Sequence, residues 1–275
     1  MKVDRKNVLQ QFKAYTNAYD ATDEKTALKI GHTYRVAGLC EQIARAEGME
    51  PEEQDLAWLV GMLHDIGRFE QLRQYNTFSD ADSVDHAALG AEILFGVDSD
   101  AEGDNQIEGD KGVIGQYVSD RSEDRLLETA VRVHSAYRVP EQLDSRTKKF
   151  CHILRDADKI DILRVNIETP LEEIYNTTQE ILYHEEVTEA VMESFREHHA
   201  TLRSLKHTSV DHVAGHISLI YELVFPESFR LVKMQGYWEK LLDFPSQNPN
   251  TIKQFAELRN EMSSFLDSRL SNMPD

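Results

Sequence analysis

Helical periodicity runs the length of the chain, and no stretch of strict apolar–polar alternation longer than a few residues competes with it; the pattern restricts the fold to the all-helical class. The spacing predicts helices over about residues 5–19, 24–47, 52–65, 84–95, 122–138, 147–164, 170–184, 186–205, 209–225, 227–244 and 251–270. Their expected stops are Gly48 with Pro51, Gly67, Gly96, Pro140, Pro170, Pro226, Pro245 and Pro249. The acidic, glycine-rich text GVDSDAEGDNQIEGDKG, residues 96–112, reads as a flexible surface loop. At 275 residues the chain can bury a core without covalent staples. The expected organisation is a helical domain over 1–168 and a helical extension over 169–275 packed on it, divided near Pro170.

Charge narrows the function. Aspartate and glutamate number 49 against 30 lysines and arginines, a net charge of -19, which argues against general binding of nucleic acid. The same repulsion faces a small phosphorylated substrate. Phosphate chemistry here needs a local positive charge, most simply a metal ion. Cys40 and Cys151 fall inside helical patterns and form no CxxC pair, so nothing suggests a disulfide framework or a thiolate metal knuckle, and a reducing, cytoplasmic setting fits best. The N-terminal text lacks a secretory apolar stretch, and no segment approaches the roughly 20 apolar residues of a membrane span.

Several ionisable residues fall on apolar helix faces. His32 lies one turn from Leu28 and one turn from Val36, inside the stripe completed by Leu39 and Ile43. The apolar run DLAWLVGML ends at His64-Asp65, so a buried helix delivers a neutral ligand and an anion side by side. A carboxylate at a helix C-terminus calls for a nearby cation, a metal or Arg68. His86 stands in register with Leu89 and Ile93, and His134 with Leu127 and Val131, so both point inward. In KKFCHILRDADKIDILR, Phe150, Ile153, Leu154 and Ala157 mark the buried face; Asp158 lies at its edge, Asp161 on it, and Asp156 roughly opposite. Each residue alone suits an ordinary core. Together they place four histidines and two or three aspartates inward from five helices, which a helical core tolerates only around something charged. Imidazole and carboxylate without thiolate suit Mn, Fe, Co, Ni or Zn, with Mg also possible.

The order His32, then His64-Asp65, then Asp158 resembles the H…HD…D signature of the HD-domain superfamily of metal-dependent phosphohydrolases. The flanking texts GHTYRVAGLCEQIA, LVGMLHDIGRFEQ, DHAALGAEILF, AVRVHSAYRVP and ILRDADKIDIL are also similar to that family, over about residues 25–165. The resemblance implies a helical bundle around one metal held by His32, His64, Asp65 and Asp158. It further implies that His86 and His134 serve a second ion or phosphate, with Asp65 bridging. Where the text HSAYRVPEQ stands, members that cleave cyclic dinucleotides carry a His-His pair and GYP, so that subclass is disfavoured.

The activity so implied is hydrolysis of a phosphate ester or anhydride, of a nucleotide or a related metabolite, with Asp65 and Arg68 as catalytic residues. Arg68, His86, His134, Arg138 and Lys159 are the expected substrate contacts, and Asp161 is either a partner orienting a ligand histidine or a structural anion. Two alternatives stand beside it: a non-catalytic binding module of the same fold, and a diiron oxygenase acting on a diol. His212 and His216 share a helix face but lack an accompanying carboxylate, so no metal site is expected there. His152, His184, His198, His199 and His207 read as surface or packing residues. The Tyr and Trp of the C-terminal helices read as core or as a homodimer face.

Overall fold

The structure, a computed structural model, describes residues 1–20, 22–96, 112–175 and 177–271; nearly all of the acidic 96–112 segment lies outside them. Among the described residues no strand occurs. The helices are α1 (Arg5–Thr16), α2 (Glu24–Ala46), α3 (Pro51–Leu63), α4 (Ile66–Tyr75), α5 (His86–Phe95), α6 (Ile114–Tyr117), α7 (Asp124–Val133) and α8 (Ser145–Glu168). They continue with α9 (Leu171–Tyr175), α10 (Gln179–His184), α11 (Glu189–Arg196), α12 (Ser209–Ile217), α13 (Pro226–Gln235), α14 (Tyr237–Leu242) and α15 (Pro249–Ser271). The chain forms two compact units, Met1–Ala157 and Asp158–Asp275, and the division falls within α8.

In the first unit α3 is the central element. Pro51 opens it with Glu52 and Glu53 in the first turn, residues suited to the positive end of a helix. Every residue from Leu56 to Leu63 is then buried, so the helix is apolar on all sides and must be surrounded. It meets α2 at Gly61, where a Cβ would stand 2.6 Å from Ala37 Cα. This close approach brings the helices bearing His32 and His64 together.

Gly67 corrects the sequence reading. It does not stop a helix; it lies in the first turn of α4, a helix the periodicity did not predict. A Cβ there would stand 2.2 Å from His86 O and 2.6 Å from Gly90 N, so the missing side chain lets α4 touch α5. The buried face of α5 is His86, Ala87, Gly90, Ala91 and Leu94, whereas Leu89 and Ile93 are only half-buried. His86 points inward as expected, but on a stripe of small residues shaped by that contact.

In the second unit several expected helices are shorter or divided. The 170–184 segment is α9 and α10, and the 227–244 segment is broken at Gly236, whose φ of 66° ends α13. The 186–205 segment leaves helical geometry after Arg196, and His198 has φ 58°. Phe195, Tyr221 and Phe265 form an aromatic core, with ring centroids 4.8–4.9 Å apart for the Phe195–Tyr221 and Tyr221–Phe265 pairs.

Candidate metal centre

Within the first unit, four histidines surround one carboxylate. His64 is the C-cap of α3 and Asp65 the N-cap of α4, so the chain turns between two helices at the His-Asp pair. The carboxylate therefore stands at the start of α4 as well as beyond the end of α3. The positive end of α4 offsets the unfavourable placement read from sequence. Asp65 Oδ2 lies 3.6 Å from His32 Nε2 and 3.5 Å from His64 Nε2. Oδ1 lies 3.6 Å from both His86 Nε2 and His134 Nε2. Each oxygen faces one imidazole pair.

The protons on the rings follow from their other partners. A carbonyl only accepts, so His64 Nδ1–H donates to Gly61 O at 2.7 Å and His134 Nδ1–H donates to Val131 O at 2.6 Å. His86 Nδ1–H donates to the Asp80 carboxylate at 2.8 Å and 2.9 Å. In the neutral rings this leaves each Nε2 with a bare lone pair. Burial first, then Arg68 and His134, push His86 down to about 4 against the pull of Asp80, so its ring is neutral near pH 7. Yet His86 Nε2 and His134 Nε2 face one another at 3.0 Å, and His64 Nε2 lies 3.4 Å from His32 Nε2. The opposed lone pairs of His86 and His134 repel unless a cation lies between them. The donor set thus fits a divalent metal ion. His64, Asp65 and His134 each offer a ligand atom within 4.8 Å of the others'.

Burial alone would raise the Asp65 carboxyl, but Lys29, then His64, His134 and Arg68, hold it well below the usual range. Lys29 Nζ donates to Asp65 Oδ2 at 2.7 Å. Arg68 uses Nη1 to hold Gln71 Oε1, Phe78 O and Asp80 Oδ1, while its buried Nε, 3.7 Å from Asp65 Oδ1, has no hydrogen-bond partner. Less of its fork is therefore open to phosphate than the sequence suggests.

Two further groups set the ligand geometry. Buried Gln71 donates to Asp80, Ser83 and Val84 O, which fixes the connection before α5 and hence the carboxylate behind His86. Arg155 donates from Nη1 to His134 O at 3.0 Å and to Ala136 O, and from Nη2 to Tyr137 O at 3.1 Å. It closes the C-terminus of α7, which ends at His134 rather than near 138. Asp80, Asp85 and His86 also form an acidic cluster, but Asp80 is engaged by Arg68, Gln71 and His86, and Asp85 caps α5.

Asp158, half-buried, is the first residue of the second unit. Asp161 is buried, as expected; Asp156 is too, at 0 % exposure, contrary to the expectation that it points outward. The helical angle had compared it only with the apolar stripe, and α8 is enclosed on more than that face. Lys159 is buried, while Arg138 is exposed over the Tyr137 ring. Sequence reasoning missed Lys29, Gln71, Asp80 and Arg155. Only Lys29 carried a usable signal, one turn before His32 on the same helix; Asp80 is one of three acids in DADSVD, and spacing does not single it out.

An all-helical unit with buried imidazoles around a single carboxylate has the make-up of a metal-binding domain. Residues 30–163 match the family described as HD domain. No curated protein and no solved structure matches the chain. The matched residues include His32, His64, Asp65, His86, His134 and Asp158.

Proposed function

We propose that the protein hydrolyses a phosphate ester or anhydride bond in a nucleotide or a related small phosphorylated metabolite. The observation that carries the proposal is the Asp65 carboxylate, each oxygen of which faces a different pair of imidazoles. In this reading His32, His64, Asp65 and Asp158 hold one divalent ion, with Asp158 assigned from its place in the motif order. His86, His134 and the other Asp65 oxygen hold a second. Bound there, Mn, Fe, Co, Ni, Zn or Mg ions would acidify a water molecule and draw charge from the phosphoryl group.

The chain's own residues prepare and complete that chemistry. Asp80 and the Val131 carbonyl keep the His86 and His134 rings turned toward Asp65, and Arg155 holds the backbone at His134. The unpartnered Arg68 Nε–H and the Lys29 ammonium supply positive charge at the edge of the carboxylate, where phosphoryl oxygens would gather. His86 and His134 would share in substrate contact through the same ion. Exposed Arg138 and buried Lys159 are assigned to the substrate by sequence alone.

The test is to strip the protein with a chelator, reload it with Mn²⁺, Co²⁺ or Mg²⁺, and measure phosphate release across nucleotides. Asp158→Ala is expected to lose bound metal and phosphatase activity while remaining helical by circular dichroism. Full activity in that variant would remove Asp158 from the site. Aerobic turnover of a polyol with no phosphate release from any nucleotide would replace the hydrolase reading with the oxygenase one.

A further inference from the structure

The second unit holds a basic cluster that the phosphohydrolase reading does not use. Lys206 is half-buried just before Thr208, the N-cap of α12. Its backbone N–H donates to Arg203 O, but its ammonium makes no hydrogen bond or ion pair among the described residues. Its side chain lies along α12 at Gly215, where a Cβ would stand 2.4 Å from Lys206 Cε and 2.6 Å from Nζ. The glycine makes room for the ammonium beside His216 and one turn from His212. The ammonium is half-buried and no protein acceptor meets it, so its donors are open to an incoming acceptor.

The nearby acid cannot serve. Asp211 is the only carboxylate on α12, and it already accepts from Thr188 N at 2.8 Å, Thr188 Oγ1 at 3.1 Å, His207 N at 2.8 Å and Thr208 N at 3.0 Å. The two imidazoles are unsatisfied as well. Asn166 Nδ2 donates to Ile162 O, which turns Asn166 Oδ1 toward His216 Nδ1 at 2.8 Å. Tyr175 completes that network, its hydroxyl donating to Asn166 Oδ1 at 2.5 Å and lying 2.8 Å from His216 Nδ1. With the proton on Nδ1, His216 Nε2 is a bare acceptor without a partner among the described residues, and neither His212 nitrogen has one. Burial and then the Lys206 charge hold both rings below the usual histidine range, so they are neutral near pH 7.

One ammonium and two neutral imidazoles, beside two acids already engaged by backbone N–H groups, Asp211 and Glu185, whose Oε2 accepts from Ser209 N at 2.6 Å and Val210 N at 3.3 Å, form a site of defined chemistry. We propose that Lys206, His212 and His216 bind a phosphoryl group, with Lys206 donating to an anionic oxygen and a bare imidazole nitrogen accepting from a protonated one. A phosphate near neutral pH carries both kinds of oxygen, because its second proton leaves at a pKa of about 6. Sulfate offers only the anionic kind. The site therefore discriminates between two oxyanions of nearly equal size.

This site does not rest on the hydrolase reading, and the test keeps the two apart. The full-length Asp65→Ala protein, held in chelator so that the histidine–carboxylate centre carries no ion, is titrated with inorganic phosphate by calorimetry. Saturable binding at one site is expected, with sulfate at least tenfold weaker. Lys206→Met should weaken phosphate binding by roughly ten- to a hundredfold, as loss of a charge-assisted contact does, while Lys206→Arg retains most of it. His212→Gln and His216→Gln provide the same comparison if Lys206→Met does not fold, and they should narrow the gap between phosphate and sulfate. A nucleoside monophosphate that competes with phosphate identifies a phosphoryl group carried on a larger molecule; failure to compete identifies the free ion. Absence of saturable binding, equal affinity for sulfate, or affinity unchanged across the Lys206 and histidine variants would overturn the proposal.

Discussion

Histidines gather in both units of this protein, around opposite charges. In the first unit His32, His64, His86 and His134 turn their Nε2 atoms toward the Asp65 carboxylate. In the second, His212 and His216 stand beside the Lys206 ammonium, with Asp211 already engaged. The charge at the middle decides what such a cluster can hold. Neutral imidazoles around an anion leave lone pairs and negative charge for a cation, whereas neutral imidazoles around an ammonium leave a place for an anion that also carries a proton. The same residue type thus serves opposite ligands, and a residue count alone does not separate them.

The most damaging change to the contrast is Asp65→Ala. Removing the shared carboxylate is expected to abolish metal binding at both imidazole pairs and reduce phosphate release to background, as measured by metal analysis of the purified protein. Retention of both ions would show that Asp65 does not bridge. Next in size is Gly67→Ala, where the added methyl meets backbone atoms of His86 and Gly90 that cannot yield cheaply. About 1–3 kcal/mol of destabilisation is expected from such overpacking, read as a lower urea midpoint at unchanged slope. An unaltered midpoint would mean that α4 and α5 can part without cost.

Smaller effects should be confined to one ion. Asp80→Asn removes the anion behind His86 and should weaken the second ion by roughly 10–100-fold, with the first little affected, giving a biphasic metal titration. Arg155→Gln should act in the same direction through His134, since it frees the carbonyls at the end of α7. Equal weakening of both ions by either variant would contradict this division.

The smallest effect lies in the second unit. Burial and the neighbouring Arg203 push Lys206 down to about 8, from an ordinary value of 10.5. Between those two values the unfolded chain keeps a proton that the folded chain has lost, so this group makes stability rise with pH across that window. Lys206→Met should flatten the rise and leave metal content unchanged. A persistent slope in thermal unfolding between pH 8 and 10.5 would assign it to another group.

Much of the candidate metal centre was legible before any coordinates. His32, His86 and His134 announced themselves as ionisable residues at apolar positions, and the His64-Asp65 pair as the polar end of an apolar helix. Their supports were not legible. Asp80 reaches His86 from a non-repeating connection, and Arg155 closes α7 from a different helix. Gly67 misled for a related reason: in a linear text a glycine after an apolar run reads as a stop, and only the neighbouring α5 reveals it as a contact.

Periodicity and residue chemistry by themselves determined that the chain is helical and that His32, His64, His86 and His134 lie on buried positions. These follow from the repeat of the helix, a local property. Which oxygen of Asp65 faces which pair of rings, which nitrogen of each ring holds the proton, and that Lys206 goes without an acid while Asp65 has cations around it were decided by tertiary packing. Those features depend on distances between residues far apart in the chain, and only the folded backbone sets them.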